Sequence, residues 1–122
     1  MVQLRTVLVP ADNSGARRLR VIGIPHFSKR NVVGLGIIVK CTVDGAQPLG
    51  VVKDSQVVDV VVVRTRKETR RKDGSYIRFD NNAGVVVDKT GNPVGTRVFG
   101  PIPHEVREAG FGRIASLAQE IV

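Results

Sequence analysis

The chain holds one cysteine, no tryptophan, one tyrosine, four phenylalanines and two histidines in 122 residues. A single cysteine, Cys41, excludes an internal disulfide and a cysteine-based zinc cluster, and it suits a reducing compartment. On an alternating stretch it shares a face with Val39 and Val43, which predicts a buried structural thiol. The histidines, His26 and His104, lie far apart and neither has HxxxH or HxxE spacing, so no metal is expected. No apolar run approaches the ~18 residues of a membrane span. The opening residues Met1 to Val9 lack the apolar core and small-residue cleavage site of a signal peptide and read as a strand.

Catalytic patterns are missing as well. Ser14 has no G-x-S-x-G surroundings. Gly34-Leu35-Gly36 runs into an apolar strand and not a helix, so it is a turn and not a dinucleotide fingerprint. Asp44, Asp54, Asp59, Asp73, Asp80 and Asp88 mostly fall at turns or strand ends, and no phosphate-cradling GK[ST] occurs. The expectation is a protein that is not an enzyme and needs no cofactor.

Acids are also short, 11 against 19 bases, for a net charge of +8 and a pI near 10.6. The excess is not spread evenly. Residues 1–30 carry +5 and residues 64–78 carry +5, while the two remaining stretches come to −1 each. Such clustering favours a patch aimed at a polyanion over a uniformly basic surface. Arg outnumbers Lys among the bases, which suits bidentate contacts to phosphate.

The second basic segment grows out of the most hydrophobic part of the chain. Val57 to Val63, broken only by Asp59, is a β-branched run typical of a buried strand. Arg64, Arg66, Lys67, Arg70, Arg71, Lys72 and Arg78 follow, with a hairpin signal at Asp73-Gly74 and a return through Ser75 to Phe79. This predicts one long antiparallel ribbon, rooted in valine and arginine-rich on its outer half. Seven residues per arm would reach roughly 23 Å.

The rest reads as strands and turns. Val2–Val9 and Arg17–Ile24 are strands, the latter with Arg18 and Arg20 outward and Leu19 and Val21 inward. Pro25 to Gly36 is a loop containing Lys29 and Arg30, and Ile37–Val43 is the next strand. Ala83–Val87 and Val94–Phe99 form a hairpin around Lys89-Thr90-Gly91-Asn92. After Gly100-Pro101 two short helices are expected. The first starts at Pro103 and stops at Gly110; the second runs from Arg113 to Glu120, with Ile114, Leu117 and Ile121 as its apolar stripe. The fold class is therefore all-β, a small barrel or sandwich in one domain, residues 1–122. Strands and the ribbon occupy 1–100 and a helical segment 101–122.

Like charges crowded on one ribbon repel unless counter-charge arrives from outside. Phosphate would supply it. The candidate RNA-binding residues are Arg17, Arg18, Arg20, Lys29, Arg30, Arg64, Arg66, Lys67, Arg70, Arg71, Lys72 and Arg78. Binders of single strands stack bases on aromatic platforms. Here only Tyr76 and Phe79 lie near the charge, and they are expected to pack the ribbon's base. Backbone and shape recognition of folded A-form RNA fits better.

Several stretches closely resemble the universal large-subunit ribosomal protein fourteen family. They are Ala11-Asp12-Asn13-Ser14-Gly15-Ala16-Arg17, Val62-Val63-Arg64-Thr65, Asp73 to Ala83, Gly95-Thr96-Arg97-Val98-Phe99-Gly100-Pro101, and Ala115-Ser116-Leu117-Ala118, in the family's order over the whole length. The resemblance implies a five-stranded β-barrel with a projecting ribbon and two short C-terminal helices. It implies binding to large-subunit ribosomal RNA, contact with small-subunit ribosomal RNA in an inter-subunit bridge, and packing against large-subunit ribosomal protein nineteen. It also implies a docking surface for the ribosome-silencing factor. Thr96, Arg97, Phe99 and Arg113 are the matching protein-partner residues, Arg113 standing where bacterial relatives typically carry Lys, beside a Gly112 that also departs from the usual residue. The divergent loop Pro25 to Gly36, Ile37 in place of a common Asp, Pro101-Ile102-Pro103-His104 and the ending Ala118-Gln119-Glu120-Ile121-Val122 resemble organellar, especially mitochondrial, members. A mitochondrial matrix location would require an organelle-encoded or already processed chain.

Overall fold

Consecutive valines need burial on two faces, because successive side chains of a strand point to opposite sides of the sheet. The fold supplies both. A computed structural model describes residues 2–24 and 32–122. In chain order the strands are β1 (Val2–Gln3), β2 (Val7–Pro10), β3 (Leu19–Gly23), β4 (Val32–Val33), β5 (Ile38–Val43), β6 (Val57–Arg64), β7 (Thr69–Arg70), β8 (Tyr76–Ile77) and β9 (Ala83–Val87). Then come β10 (Pro101–Ile102), helices α1 (His104–Glu108) and α2 (Gly112–Leu117), and β11 (Glu120–Ile121).

Strands β2, β3, β5, β6 and β9 close into a barrel in that order. Neighbours are antiparallel except at the seam, where β2 and β9 run parallel with Val9 opposite Ala83 and Pro10 opposite Gly84. Closure leaves no long unpaired edge. Val58, Val60 and Val62 of β6 face the barrel interior with Leu8, Leu19, Val21, Val39, Cys41, Val43 and Val86. Val61 and Val63 face the other way. They join Val85, Val87, Ala11, Val98, Ile102, Val106 and Ile114 in a second core beneath the helices. Each fully buried Val, Leu or Ile among them contributes roughly 1.5–3 kcal/mol relative to exposure. Asp59, the one interruption of the run, lies opposite Lys40 of β5 and pairs with it. Cys41 is fully buried, and desolvation with a smaller effect of Asp59 pushes its thiol pKa up to about 12.

Gly84 is required where β9 crosses the interior: a Cβ there would run into Val60 Cγ1 and lie 3.3 Å from both Leu8 Cδ1 and the Val61 carbonyl oxygen. Another lock is polar. Buried Asp12 accepts hydrogen bonds from Val86 N (3.0 Å), Ser14 Oγ (2.8 Å) and Ser14 N (3.4 Å), tying the Ala11–Gly15 turn to β9. Burial raises the Asp12 pKa above its ordinary value, and these hydrogen bonds oppose the rise.

The closed five-stranded barrel and two short helices match the all-β expectation, but several details differ. The first strand is broken into β1 and β2 by Arg5, whose φ is +71°. Val94–Phe99 is not a regular strand; it keeps one isolated bridge, Asp12 with Val98, and the residue before it, Pro93, bridges Val87. Helix α1 ends on Ala109 and Gly110 (φ +103°), as its sequence suggests. Helix α2 stops at Leu117, and Glu120–Ile121 extend to pair in parallel with Pro101–Ile102. The i, i+3, i+7 stripe therefore does not form on one helix: Ile114 is buried, Leu117 is 38% exposed and Ile121 sits in a strand. The ribbon is also shorter than expected, since only Thr69 with Ile77 and Arg70 with Tyr76 are paired.

Candidate nucleic-acid interface

Beyond β6 the chain leaves the barrel wall. Phe79 N donates to the Thr65 carbonyl oxygen (3.0 Å) and Arg66 N to Asn82 Oδ1 (2.9 Å), which ties the two arms of the ribbon at its base. The tip is closed by Arg71 N to Ser75 O (2.8 Å) and Gly74 N to Arg71 O (3.0 Å). Gly74 takes φ +89°, which glycine permits without a Cβ penalty. Asp73 Oδ1 accepts from both the amide and the hydroxyl of Ser75, and these bonds hold its carboxyl pKa below the usual value. A well-defined turn thus presents the basic side chains.

Arg66, Lys67, Arg70, Lys72 and Arg78 are exposed on or beside this ribbon. Arg70 lies opposite Tyr76, which is 64% exposed. The tyrosine therefore does not pack the ribbon's base as expected; it is exposed across the ladder from Arg70. On the barrel, Arg17, Arg18 and Arg20 are exposed. Arg18 and Arg20 approach Asp44 at 3.8 and 3.7 Å, solvent-exposed pairs that hold the side chains weakly. Arg5, which belongs to no motif, lines an open hollow of about 540 Å³ with Leu4, Val7, Arg20, Val21 and Ile22. Only its membership of the first basic segment could have flagged it. Lys29 and Arg30 lie outside the described residues.

Two arginines depart from the expected surface. Arg64 is among the candidate RNA-binding residues, yet it turns inward and is only 8% exposed. Nη1 donates to the carbonyl oxygens of Phe99 (2.8 Å) and Pro101 (3.2 Å), and Nε to Asn81 Oδ1 (3.2 Å). Gly100, at φ +78°, leaves the room: a Cβ there would collide with Arg64 Nη1. Burial lowers the Arg64 pKa. Its visible work is to clamp the 99–101 loop onto β6. Arg71 also turns back toward the body, its Nε 3.1 Å from Glu105 Oε1 and its Nη2 2.9 Å from the Val122 carbonyl oxygen.

Two of the protein-partner candidates, Thr96 and Arg97, are held by one side chain. Asn13 Oδ1 accepts from Thr96 N (2.7 Å) and Arg97 N (3.0 Å), while its Nδ2 donates to Thr96 Oγ1 (2.7 Å). Phe99 N donates to the Ala11 carbonyl oxygen (2.6 Å). Thr96, Arg97 and Phe99 thus point outward from a fixed loop, with Phe99 43% exposed. Arg113 is exposed on α2, and Ile114 beside it shares the second core with Val98.

A closed barrel with two valine-rich cores and most of its arginines on the surface defines a basic β-barrel protein. All of residues 1–122 match the family model described as Ribosomal protein L14p/L23e. The chain is 52% identical over 122 residues to the large ribosomal subunit protein uL14 of Aquifex aeolicus (strain VF5), covering 100% of both chains. It is 53% identical over 121 residues to the protein of the same name from Petrotoga mobilis (strain DSM 10674 / SJ95), covering 99% of both. The chain belongs to the L14p/L23e family of ribosomal proteins. Both relatives are bacterial, and neither lends support to the mitochondrial expectation.

Proposed function

We propose that this chain is a structural constituent of the large ribosomal subunit that grips folded ribosomal RNA through phosphate contacts from two exposed basic surfaces. The first is Arg17, Arg18 and Arg20 on and beside β3. The second is Arg66, Lys67, Arg70, Lys72 and Arg78 on the ribbon. The observation that carries this reading is the separation of roles along one stretch of chain: β6 is buried in two cores, whereas the ribbon that continues it has no buried residue from Arg66 to Asn82. Side chains that do nothing for the core and repel one another are kept for an external anion. The two bacterial relatives are named as large-subunit proteins, and full-length identity above one half supports the same setting for this chain. They also favour a bacterial over an organellar setting.

The surface of Thr96, Arg97, Phe99 and Arg113 serves protein or bridge contacts. A loop pre-fixed by Asn13 loses little further freedom on docking, which suits such a role. Large-subunit ribosomal protein nineteen, small-subunit ribosomal RNA at an inter-subunit bridge and the ribosome-silencing factor are the partners that the family resemblance suggests for it. The whole of residues 1–122 acts as one domain in this reading.

Co-sedimentation tests the proposal. The chain is expected to travel with large subunits, and Arg70→Glu combined with Lys72→Glu to shift it to the free fraction while its circular dichroism spectrum stays unchanged. A wild-type chain found only in the free fraction would overturn the assignment.

A further inference from the structure

Beyond β6, and among the described residues, Arg71 is the one basic residue of the ribbon whose side chain has a partner in the body of the protein. Its side chain is only 19% exposed and that of Glu105 only 23%, in contrast to the open Arg18–Asp44 pair at 66% and 43%. The Nε–Oε1 separation of 3.1 Å is too oblique to form a hydrogen bond, so charge holds that contact, and Nη2 adds a 3.5 Å approach to Glu105 Oε2. The well-formed bond is Nη2 to the Val122 carbonyl oxygen at 2.9 Å. Val122 is itself fixed, its N–H donating to the Ile102 carbonyl oxygen (2.9 Å) and its carbonyl oxygen also accepting from His104 N (3.1 Å). One guanidinium thus joins the ribbon's tip to the first turn of α1 and to the segment following β11. Between the ties at its base and its tip the ribbon has only two regular ladder pairs, and a two-stranded ribbon is marginal on its own in water.

We infer that Arg71 is a positioning residue that fixes the direction of the basic ribbon, and is not itself a phosphate ligand. This rests on the ribbon's being an RNA-binding element and assigns a role within it. An anchor of this kind lets the ribbon meet RNA already ordered; without it, only a fraction of molecules present the right geometry and the apparent affinity falls by that fraction.

The consequence runs against simple electrostatics. Glu105 is an acid near the ribbon, so its removal should strengthen RNA binding if charge alone matters. If Glu105 holds the strut, its removal weakens binding. Glu108 lies on the same helix and is more exposed, and its contact is with His104 Nδ1 at 3.2 Å, not with Arg71. Glu108→Ala is therefore the matched control.

The full chain and its Arg71→Ala, Glu105→Ala, Glu108→Ala and Arg71→Glu/Glu105→Arg variants would be titrated with protein-free large-subunit ribosomal RNA across a salt series, well below each variant's melting midpoint. Hydrogen exchange of ribbon amides in the free proteins would be measured alongside. The expected result is an affinity about three- to tenfold lower for Arg71→Ala and for Glu105→Ala, with the salt slope retained. Glu108→Ala should bind as tightly as the parent or more so, and the charge swap should recover part of the loss. Exchange at Arg71 N and Gly74 N should quicken in Arg71→Ala and Glu105→Ala alone. A salt slope lowered by about one unit in Arg71→Ala, with Glu105→Ala binding at least as well as the parent, would make Arg71 a phosphate ligand and overturn the inference. Failure of the parent chain itself to bind with a salt-dependent affinity would instead sink the RNA-binding proposal, and the exchange data would still decide whether the strut exists.

Discussion

The β6–β9 wall and the β7–β8 ribbon are successive parts of one continuous chain and obey opposite rules. In the wall every β9 residue is buried and β6 exposes only Val57 substantially, so side-chain identity there is set by volume. In the ribbon none of the paired residues is buried, and only turn geometry and charge constrain the sequence. Stability and recognition are therefore nearly independent, and substitutions in one region should leave the other untouched.

The largest separation should come from the ribbon. Replacing Arg66, Arg70 and Lys72 together by Ala should cut RNA affinity about a thousandfold, at about 1.5 kcal/mol for each charge-assisted contact. The salt slope should drop by about three units. Unfolding free energy should move by less than about 0.5 kcal/mol, as for other surface changes. A comparable loss of stability in denaturant melts would break the comparison.

In the wall and the turn that braces it, Asp12→Ala should cost about 3 kcal/mol, since it leaves the Val86 amide and the Ser14 amide and hydroxyl without their acceptor. Gly84→Ala should cost about 2 kcal/mol by overpacking the interior against Val60 and Leu8. Both would be read from urea midpoints at unchanged m-value. The salt slope of RNA binding should stay at the parent value while either protein remains folded.

The smallest effect is one of pH. Burial raises the Asp12 pKa in the folded chain above the ordinary value of 3.8, so the fold holds that proton more tightly than the unfolded chain does. Its contribution to stability therefore declines as pH rises from about 3.8 through the raised folded value, and is level above it. Asp12→Asn removes the group that titrates. Relative to that variant, the parent should lose stability over this interval. A parent that gains stability against Asp12→Asn there would contradict the burial of the carboxylate.

Much of the barrel was legible because its signals are local. β-branched runs, the alternation of Val39, Cys41 and Val43 with Lys40 and Thr42, and turns at Asp73-Gly74 and Gly110 all carry their physics within a few residues. The uninterrupted Val60–Val63 run implied burial but not its cause, which is a second core contributed by α1 and α2, distant in sequence. The fates of Arg64 and Arg71 were hidden for the same reason. Both sit in a basic segment, and composition alone made them surface ligands. What draws Arg64 inward is the pair of carbonyl oxygens of Phe99 and Pro101, and what draws Arg71 back is Glu105 with Val122. Neither set of partners is near in the chain. The helical stripe through Ile121 failed because pairing with Pro101–Ile102 offered those residues backbone bonds that a longer α2 would have forgone.

The most direct test of the central claim is a density map of an assembled large subunit carrying this chain. The expected map has Arg70, Lys72 and Arg78 at about 3 Å from phosphate oxygens, the separation of a charge-assisted hydrogen bond. It should also show Arg64 still bonded to the Phe99 and Pro101 carbonyls. A map with the ribbon and the Arg17–Arg20 surface both facing open solvent would contradict it.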